Sequence, residues 1–188
     1  MLLRDLLIEH PADFAIIRHE CSQYLQEVSY RHVIRDLPRT YDDVHRVKIR
    51  QKRSQDTITQ VFNEAFSNIH HMRQRSLITH TQALPCTDTH EPFYVFPVNG
   101  YNFMYSKEVS NSTADYKHLI DVVFEQFTQE DDAAAIVADV VKHSYTNHSI
   151  VEGIDAGAEI IFYNIPYYYA IRCSKYPIYE RLTPYLYD

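Results

Sequence analysis

A chain of 188 residues, 45% hydrophobic and 23% charged, is long enough to bury a sizeable core and has no run approaching the ~20 apolar residues of a membrane span. Its formal charge of -7 works against sequence-independent nucleic-acid binding, so a nucleic-acid partner is not expected. Three widely spaced cysteines (Cys21, Cys86 and Cys173) suggest neither a disulfide framework nor a zinc knuckle, and three glycines leave no Gly-rich phosphate loop.

In chain order, the apolar start is broken by Asp5, Glu9 and His10, unlike a secretory leader, and a reducing compartment is expected. After Pro11, Phe14, Ile17, Cys21, Tyr24, Leu25 and Val28 recur at helical spacing. Leu37-Pro38-Arg39 reads as a loop closing this helical region, taken as residues 1–36. Val44, Arg46 and Lys48 alternate with His45, Val47 and Ile49, as in a strand. Helix caps at Ser54-Gln55-Asp56 precede a helical stripe from Ile58 to Ile69, and Ser76 to Thr81 reads as a short strand.

Asn99-Gly100 joins the aromatic runs Phe93–Val98 and Tyr101–Tyr105, the pattern of a two-residue hairpin. Helices are expected over Tyr116–Phe127 and from Asp131 to Val141. The run Ile160-Ile161-Phe162 and the strand Tyr167–Cys173 then flank an Asn164-Ile165-Pro166 turn. The order of elements predicts one α+β domain. Two small mixed or antiparallel sheets should flank a cleft with helices packed outside, over a core of residues 43–175, followed by a Tyr-rich tail at 176–188.

Eleven histidines carry no metal-ligand spacing, so no metal is assigned. Cys86 beside Pro85 lacks an identifiable histidine partner for nucleophilic work. The run Arg46–Arg53 holds five basic side chains in eight positions and reads either as a solvated edge or as an anion site. Glu159 heads an apolar strand, where a carboxylate needs a partner or a role. Arg46, Ser76, Thr79 and Glu159 stand at three predicted strands. They form either a structural ion pair or a cleft fitted to nicotinamide–ribose cleavage. In that cleft Arg46 holds phosphate, Ser76 and Thr79 support the site, and Glu159 stabilises an oxocarbenium-like transition state. Tyr101 and Tyr105 are candidates to stack on the nucleotide.

Several segments share a further likeness: Ser54-Gln55-Asp56-Thr57, Phe62–Phe66, Arg75-Ser76, Phe96-Pro97-Val98-Asn99-Gly100-Tyr101, Tyr105–Val109 and Gly157-Ala158-Glu159-Ile160. Over Lys48–Tyr169 the chain resembles a group of tailed-bacteriophage proteins whose layout is similar to ADP-ribosyltransferases of the Arg–Ser–Glu kind. That resemblance implies catalytic Glu159 and Ser76, nucleotide-binding Arg46, and NAD as substrate. The chain departs from the pattern in having Val47 after Arg46, Ser76-Leu77-Ile78-Thr79 on the middle strand, and Gly157 two residues before the glutamate. The implied function is a phage-encoded transferase acting on a host macromolecule, in the host cytoplasm or virion. The alternative is a non-catalytic virion or host-interaction protein that uses the Tyr-rich hairpin and tail as its contact surface.

Overall fold

The computed structural model describes residues 11–51, 56–69, 72–82, 87–127, 130–174 and 186. The chain is α+β, with two small antiparallel sheets and helices against them. Helices α1 (Pro11–Glu20) and α2 (Ser22–Val28) lead to β1 (Ile34–Pro38) and β2 (Val44–Lys48), followed by α3 (Thr57–Ala65) and β3 (Leu77–Thr79). Strands β4 (His90–Pro97) and β5 (Asn102–Tyr105) precede α4 (Ser112–Asp115), α5 (Lys117–Gln126), α6 (Glu130–Ser144) and α7 (Ile150–Asp155). Strands β6 (Ile160–Tyr163) and β7 (Tyr167–Arg172) complete the described elements.

The larger sheet runs β1-β4-β7-β2 and the smaller β3-β6-β5, every pairing antiparallel. The Asn99-Gly100 pair does not make the expected hairpin, because β4 and β5 lie in different sheets. A two-residue hairpin turn of the primed type needs positive φ at both central residues, and only Gly100 has it, at 86°. Asn99 is held by the helices instead. Its Oδ1 accepts from Gln23 N at 2.9 Å and its Nδ2 donates to His19 O at 3.1 Å. The turn after β6, with Asn164 at φ 63°, likewise carries the chain from the small sheet to the large one. The two crossings therefore stack β4 beside β7 and β5 beside β6.

Tyr24 of α2 stands between the sheets, edge-on to Phe96 at 6.2 Å and to Phe162 at 6.0 Å. Ile160 and Phe162 belong to this inter-sheet core, whereas Ile161 and Met104 belong to a second core under α3, α5 and α6. Strand β6 is thus buried on both faces, which is why it reads as an unbroken apolar run.

One strand departs from the expected helical region. The sequence predicts a helical region over 1–36 closed by a loop at Leu37-Pro38-Arg39, yet β1 begins at Ile34, includes Leu37 and Pro38, and pairs with β4 from Ile34↔Tyr94 to Pro38↔His90. The end of α2 carries no glycine cue, because Ser29 and Tyr30 take up the left-handed conformation themselves (φ 43° and 71°). The Tyr-rich tail lies outside the described residues apart from Leu186, which is buried in the inter-sheet core.

Candidate functional site

Glu159 is delivered by a helix end. Ser149 caps α7 through its Oγ, which accepts from Glu152 N at 3.4 Å. Gly157, at φ +76°, ends the helix in a Schellman turn: its N–H bonds Ile154 O and Ala158 N–H bonds Gly153 O, both at 3.0 Å. Glu159 follows, its N–H donating to Val109 O at 2.8 Å. Its Oε2 accepts from Ser112 N at 3.1 Å, whereas Oε1 is buried without a hydrogen-bond partner. The residue is only 2% exposed.

The segment facing Glu159 is tightly built. Asn111 caps α4 by accepting from Thr113 N and Ala114 N, and Asp115 accepts from Ser110 N and Asn111 N at 2.9 Å. Arg73 clamps the same turn, donating to Ser112 Oγ at 2.7 Å and Thr113 Oγ1 at 2.8 Å, with its guanidinium 4.9 Å from the Phe62 ring centroid. Burial, then the Glu159 charge, push the Tyr145 phenol up.

Glu159 lines a hollow of about 300 Å³ together with Arg35, Asp36, Arg73, His80 and Asn111. The hollow opens at the seam between the sheets. Ile34 and His80 exchange two backbone bonds, 2.7 and 2.8 Å long, and beyond them the Arg35 side chain spans the seam to Ile78 O at 2.9 Å. His80 Nδ1 lies 3.2 Å from Ser110 O. A carbonyl only accepts, so this bond puts a ring proton on Nδ1. A second hollow, of about 610 Å³, shares Arg35 and Asp36 with the first and is lined by Tyr41, His45, Ser76 and Tyr168 among others. Both volumes fall in the ~300–1,000 Å³ range of small-molecule sites.

The expected site residues are therefore split. Arg46 and Ser76 line the larger hollow, and Glu159 lines the smaller. Arg46 makes no ion pair with Glu159: its guanidinium stacks 3.7 Å from the Tyr167 ring centroid, and its charge helps hold the Glu20 carboxyl low, after the phenol bonds of Tyr169 and Tyr167. Ser76 Oγ donates to Arg73 O at 3.3 Å. Thr79 is fully buried, and its hydroxyl is bound to Ile160 O of the neighbouring strand at 2.9 Å. Tyr101 and Tyr105 lie in the core: Tyr101 packs against Phe162 and bonds Glu27, and Tyr105 covers Gly153. Neither lines the hollows beside Glu159.

The arginines facing Glu159 are Arg35 and Arg73, which the sequence reading did not single out. Two β-branched residues, Val33 and Ile34, ahead of Leu37-Pro38 were the available sign of a strand there. Among the described residues no group of three or more His, Cys, Asp or Glu side chains is placed to hold a metal, and no helix is long and apolar enough to cross a membrane. Comparison with protein families, curated proteins and solved structures finds no match to this chain.

Proposed function

We propose that the paired hollows bind NAD and that the protein transfers or hydrolyses its ADP-ribosyl group, with an ADP-ribosyltransferase-like layout. The observation that carries this reading is the buried, unpartnered Oε1 of Glu159 beside two arginines at the seam of two sheets. Desolvating a carboxylate and leaving one oxygen unpaired is costly, which favours a bound group that donates to it. A ribose hydroxyl satisfies that oxygen, and the negative charge then stabilises the cation that develops at the anomeric carbon as nicotinamide departs. Arg35, which lines both hollows, takes the phosphate role that the sequence alone points to at Arg46. Ser76 and Arg46 border the larger hollow, where the remainder of the dinucleotide fits. A host or virion macromolecule is the proposed acceptor, in the host cytoplasm or the virion.

The test is NAD-dependent thermal stabilisation together with nicotinamide release. Wild type should show both. Glu159→Gln should lose about 10²–10³-fold in turnover, the scale of removing one transition-state stabiliser. Arg35→Ala should raise KM more than Arg46→Ala does. A wild-type protein that neither binds nor cleaves NAD overturns the reading.

A non-catalytic contact role is favoured by a different observation. Ile136 and Val140 on α6 are 41% and 45% exposed, and Val122 and Phe127 also remain outside. These exposed apolar side chains replace the aromatic hairpin as the candidates, because Tyr101 and Tyr105 are buried. A stoichiometric complex with one host or virion protein, lost on Ile136→Asp and formed without any NAD response, would select it.

A further inference from the structure

Among the described residues, two carboxylates keep a buried oxygen without a hydrogen-bond partner: Glu159 through Oε1 and Asp36 through Oδ1. They come from distant parts of the chain, yet both line the same hollow of about 300 Å³. Asp36 arrives on β1, opposite Pro92 of β4. On its other side β1 is tied to the small sheet through the Ile34–His80 bridge and the Arg35 reach to Ile78 O, which leaves Asp36 at the opening of the seam. We propose that Asp36 is the general base of this site, taking the proton from the water or acceptor hydroxyl that attacks the ribosyl carbon. The assignment rests on the NAD reading above and gives the second carboxylate a separate role.

The chemistry divides in the way two-carboxylate glycosyl sites divide. The bond from the anomeric carbon to the nicotinamide nitrogen breaks, and its electron pair leaves with neutral nicotinamide. A bond forms from the attacking oxygen to the same carbon. The proton on that oxygen passes to Asp36 and then to solvent, so that NAD and water give ADP-ribose, nicotinamide and one proton. Glu159, fixed by Ser112 N–H, faces the positive ring and takes no part in the proton transfer. Burial pushes the Asp36 carboxyl above the ordinary range, while His80, His90 and Arg35 pull the other way. A base with a raised pKa binds its proton more strongly during transfer.

The experiment compares wild type, Asp36→Asn, Asp36→Ala and Glu159→Gln for NAD binding and for nicotinamide release, with and without sodium azide. Azide attacks without losing a proton, so it bypasses a missing base but not a missing stabiliser of the cation. Both Asp36 variants should bind NAD as wild type does and lose about 10²–10⁴-fold in water. Azide should restore their nicotinamide release and yield ADP-ribosyl azide, and Glu159→Gln should not be rescued. Asp36 variants that keep the wild-type rate, or that stay slow in azide while binding NAD normally, overturn the assignment and leave the NAD reading standing. Wild type inert toward NAD overturns both. If either Asp36 variant fails to fold, the other carries the comparison. If both fail, the wild-type rate in water must fall with acidification at an apparent pKa above the ordinary carboxyl range, and its absence overturns the assignment.

Discussion

Two buried glutamates sit in opposite circumstances. Glu91, on β4, has both oxygens engaged: Oε1 accepts from Arg172, and Oε2 accepts from Ser174 Oγ at 2.9 Å. Arg172 is well engaged in turn, donating to Asp43 Oδ1 at 2.7 Å and to the carbonyls of Arg39 and Tyr41. Glu159 is at least as deeply buried but has one backbone donor and one bare oxygen. The first arrangement closes on itself and ties the Arg39–Asp43 loop to the end of β7. The second is left open toward a hollow. Burial alone does not distinguish the two carboxylates; their hydrogen-bond partners do.

Breaking the closed network should have the largest effect. Glu91→Ala removes one partner from a buried arginine and should cost about 3–5 kcal/mol, read from urea denaturation. A loss below 1 kcal/mol would mean that Asp43 and the carbonyls suffice and that the contrast with Glu159 is weaker than drawn.

The next effect tests how Glu159 is delivered. A Cβ on Gly153 meets the Tyr105 ring at 2.7 Å and Ile160 Cδ1 at 2.8 Å, inside the turn that precedes the glutamate. Gly153→Ala should cost about 1–3 kcal/mol by overpacking, and differential scanning calorimetry would show it. An unchanged midpoint would show that α7 shifts freely against β5.

Glu159→Gln should change stability by about 1 kcal/mol or less, since a carbonyl oxygen still accepts from Ser112 N–H. Denaturation as costly as that of Glu91→Ala would reassign Glu159 to the scaffold.

The smallest effect has the opposite sign. Asp36 carries a raised pKa in the folded state, so the fold binds its proton more strongly than the unfolded chain does. The stability this gives is fully present below the unfolded value and is lost as pH rises through the raised one. Asp36→Asn should therefore melt at the same or a higher temperature at neutral pH and lose that advantage in acid. A lower midpoint at pH 7 would mean that the ionised carboxylate is stabilised by its cationic neighbours after all.

Much of the local structure was legible from residue pattern. The stripe from Ile58 marks α3, Tyr116–Phe127 contains α5, and the alternation from Val44 marks β2, because each face must bury its apolar side chains. Glu159 was legible as well, since a charge at the head of an apolar strand is chemically conspicuous. Pairing was less readable. Asn99-Gly100 is a hairpin signal only if the flanking strands bond each other, and here hydrogen bonds from α2 and to α1 hold the turn in another geometry. Strand β1 was hidden because a helix ended on Ser29 and Tyr30 without a glycine to announce it.

The sequence by itself determined the α+β class, most of the helices and the acid that heads β6, since these follow from spacing along a single segment. Only the tertiary structure decided which arginines and which second carboxylate meet that acid. Arg35 and Asp36 reach the hollow because β1 lies along the seam between two sheets, and that adjacency is a contact between segments more than a hundred residues apart. Local periodicity records which side of an element faces a core, and it carries no information about which other element stands across the gap.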